Sequence, residues 1–372
     1  MKNGMNFSKE AMGIGFPFVN LQNIFGNNVI DVSNLGKAMA SDSQLKDYNL
    51  LNGDVLFVRS SVKLEGVGEA ALVPQTLDNT TYSGFIIRFR DEYGLDNNFK
   101  RFVFGIESVR NQIMSQATNS ANKNISQSVL ENLELAIPSK SEQQKIGAYF
   151  SNLDHLITLH QRKYEKLLKV KKSMLEKMFP RDGADVPEIR FDGFTDAWEQ
   201  RKLSEVVKEV KRTDETSDAP VMMITAENGF INQSERYSTN NAGQSLKKYI
   251  LLEKGELAYN HGASKLRPFG SCFALISKEK ARIPFVYHCF SSESENAEFL
   301  SLTLNGKPVE RQLRRIVSSG ARMDGLLNIS FEEYTAIPIS LPQKAEQDRI
   351  ADYFCNLDHL ITLHQRKYNW YR

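Results

Sequence analysis

From Ile146 onward, apolar side chains recur at alternating steps of four and three: Phe150, Leu153, Ile157, then Tyr164, Leu167, Met174 and Met178, with His160 and Lys171 taking two of the seam positions. A period of 3.5 sustained over that length predicts a coiled-coil helix. The seam returns as Ile350, Phe354, Leu357, Ile361, His364, Tyr368 and Tyr371. Each helix follows a proline, Pro138 or Pro342, and carries Glu142 or Glu346 near its start, where a carboxylate suits the positive end of the helix dipole. Pro180 closes the first. A single helix over residues 141–179 would reach about 58 Å at 1.5 Å per residue, too long for burial in one small domain. Two such helices in one chain most simply pack on each other, antiparallel.

The two helical stretches share more than their seam. Residues 152–164 and 356–368 both read NLDHLITLHQRKY, 204 positions apart, and the match continues upstream in register through Lys140 and Lys344, Gln143 and Gln347, and Tyr149-Phe150 and Tyr353-Phe354. A period so far above that of solenoid repeats means two copies of a whole domain plus its helix. Packing needs only the seam to match, yet the outward His155, Thr158, Gln161, Arg162 and Lys163 match too. Two compatible explanations follow: both outer faces dock the same kind of partner, or the coding DNA was duplicated or exchanged recently. The partner-facing candidates are Tyr149, Asp154, His155 and Arg162 on one helix and Tyr353, Asp358, His359 and Arg366 on the other.

Outside the helices the pattern changes to short apolar runs punctuated by turn signals. Strands are expected over residues 16–20, 54–59 (after the Asn52-Gly53 turn), 70–73 and 84–88, with helical spacing over 98–116 and an apolar-polar alternation over 133–137. Residues 252–259, 274–276 and 328–330 replay 51–57, 71–73 and 124–126 on different side chains. This predicts an α/β (α+β) fold with two tandem strand-rich domains: 1–138, a helix over 139–180, a second domain over 181–340, and a second helix over 341–372. The offset sets Met1 opposite Glu205, so the first domain is expected to lack a counterpart of residues 196–203, and the second helix to be shorter than the first.

Composition adds bounds. At 372 residues, 41% hydrophobic and 25% charged, the chain is an ordinary globular one with room for two or three cores. A net charge of +2 permits an anionic partner without demanding one. Three cysteines without ligand spacing, no long apolar run and no signal-peptide pattern predict a soluble, cytoplasmic protein without structural zinc.

Corresponding loops of the two domains are basic and polar. In the first, Arg59, Ser60, Ser61 and Lys63 leave a strand, and Asn122 and Lys123 precede Asn124-Ile125-Ser126. In the second, Asn260, His261, Ser264, Lys265 and Arg267 follow the equivalent strand, and Arg322 lies in the loop before Asn328-Ile329-Ser330, with Arg314 and Arg315 beside Arg311 on the helix before it. Taken singly, each is better explained as a solvated loop residue; their recurrence in both domains points to phosphates and base edges. The tract 162–177, with seven Lys or Arg against Glu165 and Glu176, is equally a phosphate contact or a solvated helix face. His155 and His160 stand about 140° apart around a helix and cannot share a metal. The chain carries no phosphate loop, no base-methylation motif and no methyl-donor loop, and Asp54 with Arg59 is a weak nuclease signal.

The pair of α/β domains, each closed by Asn-Ile-Ser and followed by P-x-x-x-EQ-x-x-I and YF-x-NLD-x-LI, together with Pro187-Glu-Ile-Arg-Phe191 and Trp198-Glu-Gln-Arg-Lys-Leu203, resembles the specificity subunit of type I restriction-modification systems. The resemblance covers nearly the whole chain. It implies two target recognition domains on conserved helices, related by a pseudo-two-fold axis, each reading one half of a split duplex sequence. It implies two methyltransferase (M) subunits and, for cleavage, restriction/translocase (R) subunits as partners. It also implies no catalysis and no cofactor in this chain alone. One heptad, about 10.5 Å, corresponds to roughly three base pairs, so the helices would act as a ruler between half-sites. The rivals are a coiled-coil scaffold that no longer binds DNA and a self-sufficient nuclease or methylase. If the coding DNA is also near identical over the repeat, the two copies are recombination points.

Overall fold

The structure is a computed structural model that describes residues 1–118, 120–181, 183–236, 243–317 and 327–371. It divides into two compact units, Met1–Leu159 and His160–Trp370.

The first unit is built on the strand Val55–Val58, whose four side chains are all buried. Successive side chains of a strand point to opposite faces, so a fully apolar strand needs cover on both. Val55 and Phe57 pack with Phe99, Val103, Val109 and Ile113 of the helices Asn97–Val103 and Glu107–Ser115, and Leu56 and Val58 pack with Val19, Ile24 and Tyr82 on the other side. The antiparallel sheet runs in the order Lys2–Asn3, Ile86–Phe89, Val55–Val58, Ala70–Leu72. Helical spacing over 98–116 resolves into two helices rather than one. The first ends at Val103 with Phe104 as its C-cap, Gly105 follows, and Ile106 is the N-cap of the second.

The second unit repeats that sheet order with Lys208–Glu209, His288–Ser291, Leu257–Asn260 and Ser271–Ala274. The turn into each central strand is the same device. Gly53 and Gly255 both sit at positive φ, +89° and +87°, where a side chain would be strained. Their N–H groups donate to the carbonyls of Val73 and Leu275 at 2.9 and 2.8 Å. The next residue, Asp54 or Glu256, accepts from the backbone N–H of Leu51 or Glu253 and from Arg90 or Arg212. Asp54 is therefore a fold residue, bound to Arg90 and not to Arg59.

Two long helices, Lys140–Lys177 and Lys344–Tyr371, carry the seam. Within the second unit they run antiparallel. His160 Nδ1 lies 2.9 Å from His364 Nδ1, and Lys171 Nζ lies 2.8 Å from Asp358. The Phe179 and Phe354 rings are 6.3 Å apart, so rising numbers on one helix meet falling numbers on the other. Tyr164, Leu167 and Met174 pack against a core that includes Ile350, Phe354, Leu357 and Ile361. Among the described residues no helix is long and apolar enough to cross a membrane.

The glutamine of each P-x-x-x-EQ start ties helix to domain. Gln143 accepts from the Asp96 N–H at 3.0 Å and donates to the Pro138 carbonyl at 2.9 Å; Gln347 does the same with Asn296 and Pro342 at 3.0 and 2.9 Å. Asp96 and Asn296 in turn cap the helices that begin at Asn97 and Ala297. The units differ at one edge. Residues 338–341 pair with Glu199–Lys202 as an antiparallel ladder, while the alternation at 133–137 joins no ladder among the described residues.

Candidate nucleic-acid interface

In each unit the chain leaves the central strand into a polar loop; in the first a second polar loop returns beside it before the Asn-Ile-Ser turn, and in the second Leu327, just before that turn, bonds back to it. The Ile125 N–H donates to the Arg59 carbonyl at 3.0 Å, and the Leu327 N–H donates to the His261 carbonyl at 2.9 Å. In the first unit the contact extends into a short ladder in which Ser60 pairs with Asn124 and Ser61 with Lys123. In the first unit, loops some sixty residues apart in sequence thus become neighbours, as a shared binding surface requires. The Asn-Ile-Ser turn holds them. Ile125 and Ile329 are buried, and Ser126 and Ser330 cap the following helices by accepting from the N–H groups of Val129 and Glu333.

The expected contact residues divide by exposure. Lys63 and Asn122 are exposed, Ser60, Ser61 and Lys123 half-buried, and Lys123 Nζ donates to the Ser120 carbonyl at 2.9 Å. The Arg59 guanidinium reaches the Gly84 carbonyl at 3.4 Å, while its backbone bonds to Phe85 and Ile125. Ser264 and Lys265 are exposed. Arg314 and Arg315 are exposed on the helix Lys307–Ile316, Arg314 lying 5.5 Å from the Phe269 ring centroid. Arg315 lines one groove of this unit together with Arg311, Lys307, Lys171 and Lys172, so the basic stripe and the basic helix tract face common ground. Arg322 and its Ser318-Ser319-Gly320 neighbours, and Asn119 in the first unit, lie outside the described residues.

Three expected contacts need correcting. His261 is 4% exposed, and its two ring nitrogens lie 2.7 and 2.6 Å from the carbonyls of Leu327 and Val286. It belongs to a buried stack in which the Tyr259 and Tyr334 rings are 4.0 Å apart and His261 and His288 5.0 Å apart, and it supports the loop from below. Asn260 likewise turns inward, donating to the Ile224 carbonyl at 3.0 Å and accepting from the Gly262 N–H. Arg267 donates to the Asn305 carbonyl at 2.7 Å, and burial lowers its tendency to hold a proton below that of a free guanidinium. All three looked like donors because polar loop residues in sequence do not disclose which way they turn.

The helix candidates divide similarly. His155, Arg162, His359 and Arg366 are exposed, and Tyr149 is exposed on the first helix while Tyr353 is half-buried. Asp154 and Asp358, identical in sequence, have different partners. Asp154 accepts from Asn28 at 2.8 Å and Arg101 at 3.1 Å, fixing the helix to its own domain, whereas Asp358 accepts from Lys171 of the other helix. Among the described residues no three His, Cys, Asp or Glu side chains converge as metal ligands.

Motif spacing gave no warning of the buried pair Arg190–Glu346. Arg190 Nε and one terminal nitrogen donate to the two Glu346 oxygens at 2.7 Å each. The glutamate neighbouring the helix-start glutamine was the available signal, read only as a dipole partner.

Comparison with known proteins gives one consistent answer. The family described as the type I restriction modification DNA specificity domain matches residues 2–169 and 195–369. The putative type I restriction enzyme MjaX specificity subunit of Methanocaldococcus jannaschii is 24% identical over 184 residues, which are 48% of this chain and 42% of that protein. The type I restriction enzyme EcoKI specificity subunit of Escherichia coli K12 is 27% identical over 148 residues, 39% of this chain and 32% of that protein. The chain thus spans less than half the length of either relative. The crystal structure of a type I restriction-modification system S subunit from M. genitalium is similar in fold, with a TM-score of 0.55 over 100% of this chain and 89% of that one at 15% identity.

Proposed function

Because this chain belongs to the type I restriction modification DNA specificity domain family, we propose that it is the DNA-recognition subunit of a type I restriction-modification complex, non-catalytic alone. Its two domains, 1–138 and 181–340, each read one half of a bipartite duplex target. The helices at 139–180 and 341–372 set the gap between the halves. The observation that carries the reading is the recurrence, in both units, of a polar loop leaving the central strand and tied by a backbone hydrogen bond to the Asn-Ile-Ser region, from Ile125 within it in the first unit and from Leu327 just before it in the second. Lys63, Asn122, Lys123, Ser264, Lys265, Arg314, Arg315 and Arg322 are the proposed contacts, with phosphates fixing position and base edges supplying sequence. Arg59, Asn260, His261 and Arg267 hold the loops that present them.

Methylation and cleavage belong, in this reading, to cytoplasmic partners. Two M subunits dock on the exposed His155, Arg162, His359 and Arg366 faces, and R subunits join for cleavage. The test is a map of methylated adenines in the host genome with and without the gene, paired with gel shifts of the purified chain on duplex DNA over a salt series. The expected result is loss of one split motif and an affinity that falls steeply with salt. Salt-independent or absent binding, with the methylation map unchanged, would overturn the proposal in favour of a scaffold.

A further inference from the structure

The turn leading into the strand beside each central strand is built the same way in both units. Ser83-Gly84-Phe85-Ile86 is closed by the Ile86 N–H donating to the Ser83 carbonyl at 2.9 Å, and Pro284-Phe285-Val286-Tyr287 by the Tyr287 N–H donating to the Pro284 carbonyl at 3.0 Å. The third residue of each turn is then tied to the residue that begins the polar loop. The Arg59 N–H donates to the Phe85 carbonyl at 2.8 Å, and His261 Nε2 lies 2.6 Å from the Val286 carbonyl. Each turn is thus fixed at the sheet end where the proposed DNA contacts gather.

The side chains at these tips are apolar and face outward: Phe85 is 59%, Phe285 50% and Val286 36% exposed. Turns favour Gly, Pro, Asn, Asp and Ser, so an apolar tip is not what turn chemistry selects. A single exposed apolar residue needs no explanation. Its return at the tip of both turns, on different residues, does. The surroundings add charge. Val62, 77% exposed, stands beside exposed Lys63 on the loop that Arg59 begins, and Lys123 pairs with Ser61 across the short ladder. Phe285 lines a shallow hollow with Lys248 and with Lys211, which pairs with Glu209 at 2.6 Å. Apolar tips set among cations suit a ligand that presents negative charge and an apolar group close together.

We propose that Phe85 in the first domain, and Phe285 with Val286 in the second, choose thymine by packing on its 5-methyl group in the major groove. The proposal rests on the DNA-recognition reading above and adds apolar specificity residues to its polar contacts. Base edges in the major groove offer hydrogen-bond donors and acceptors at every pair, and their apolar group is the thymine methyl. The cations engage phosphates and fix position without reading sequence. A hydrophobic tip held between them gains by removing that methyl from water, about 25 cal/mol for each Å² buried. The closed turn and its tie to Arg59 or His261 hold the tip in place before DNA arrives, so little ordering entropy is lost on contact. Buried His261, which cannot itself reach a base, thereby acquires a positioning role.

The probes are synthetic duplexes carrying the split motif that methylation mapping assigns to the gene, with thymine replaced by uracil one position at a time. Uracil keeps every hydrogen-bonding group and lacks only the methyl. Gel shifts of the purified full chain should show, in each half of the motif, at least one position where uracil weakens binding roughly fourfold, the worth of one buried methyl-sized group. Phe85→Ala should abolish that uracil effect in one half alone, and the double substitution Phe285→Ala, Val286→Ala in the other. Phe85→Leu, which stays apolar, should retain it. Because the tips are exposed, unchanged melting temperatures verify that the variants fold. A half-site without a T·A pair, or uracil without effect at every position, would overturn the proposal. So would a Phe85→Ala chain that binds thymine and uracil duplexes equally weakly while keeping the parent's uracil sensitivity elsewhere in that half, since the ring would then act as a wedge between base steps. All three results leave motif-specific binding intact. Failure of the parent chain to bind any duplex would instead remove the recognition reading, and this proposal with it.

Discussion

Arg190 and Glu346 meet through two 2.7 Å hydrogen bonds, with the carboxylate fully removed from solvent. Breaking a buried pair from one side leaves the other charge stranded, at a typical cost of about 3–5 kcal/mol. Arg190→Ala is therefore expected to lower the stability of the second unit by about 3 kcal/mol in urea unfolding followed by circular dichroism. Pairing Arg190→Met with Glu346→Leu should restore most of it; an unchanged midpoint for the single variant would refute the role. A second residue-scale prediction concerns His364. Burial first, then the positive charges of Lys163 and Lys367 and the neighbouring His160, hold its imidazole below the usual value. A base whose pKa is lower folded than unfolded binds fewer protons in the fold. Its stabilising contribution is thus complete above the unfolded value of about 6.5 and is lost as pH falls through the folded one. His288, also lowered by burial, acts in the same direction. Thermal melts at successive pH values below neutrality should fall less steeply for His364→Gln than for the parent chain. Equal slopes would remove His364 from the account.

At the scale of elements, the root of the first helix depends on a missing side chain. A Cβ at Gly147 would lie 2.6 Å from the backbone nitrogen of Phe99, closer than two such atoms can approach. The equivalent position, Ala351, is buried in the second unit. Gly147→Ala should raise helix propensity by about 1 kcal/mol yet destabilise the first unit by about 1–3 kcal/mol, because the helix must back away from its domain. A gain in melting temperature would contradict that. Such details also mark what could be read beforehand. The 3.5 seam, the antiparallel partner and the shared strand order followed from periodicity and from the offset between copies, since those depend on local chemistry repeated in sequence. The Gln143 and Gln347 ties did not, because their partners Asp96 and Asn296 lie 47 and 51 positions away. His261 misled because a polar residue after a strand reads as surface until the stack of Tyr259, Tyr334 and His288 is seen around it, and Arg267 because its partner Asn305 lies 38 positions away.

For the whole molecule, the proposed function makes the long helices a spacer, and a spacer can be changed without touching what it separates. A heptad inserted in only one helix would offset His160 from His364 and Lys171 from Asp358, breaking the polar contacts that set register. Inserting seven residues into both, at the level of the histidine pair, restores the seam and lengthens each rod by about 10.5 Å, roughly three base pairs of duplex. The loops at Lys63, Asn122 and Lys265 are unaltered, so each half-site should remain the same while the unspecified gap grows by roughly three. Methylation mapping in cells expressing the lengthened chain reads both quantities at once. An unchanged gap would mean that the helices do not measure distance. Altered half-sites would mean that base choice is not confined to the loops. Either result would separate the family relationship, which stands on the sequence match, from the ruler mechanism, which stands on the seam.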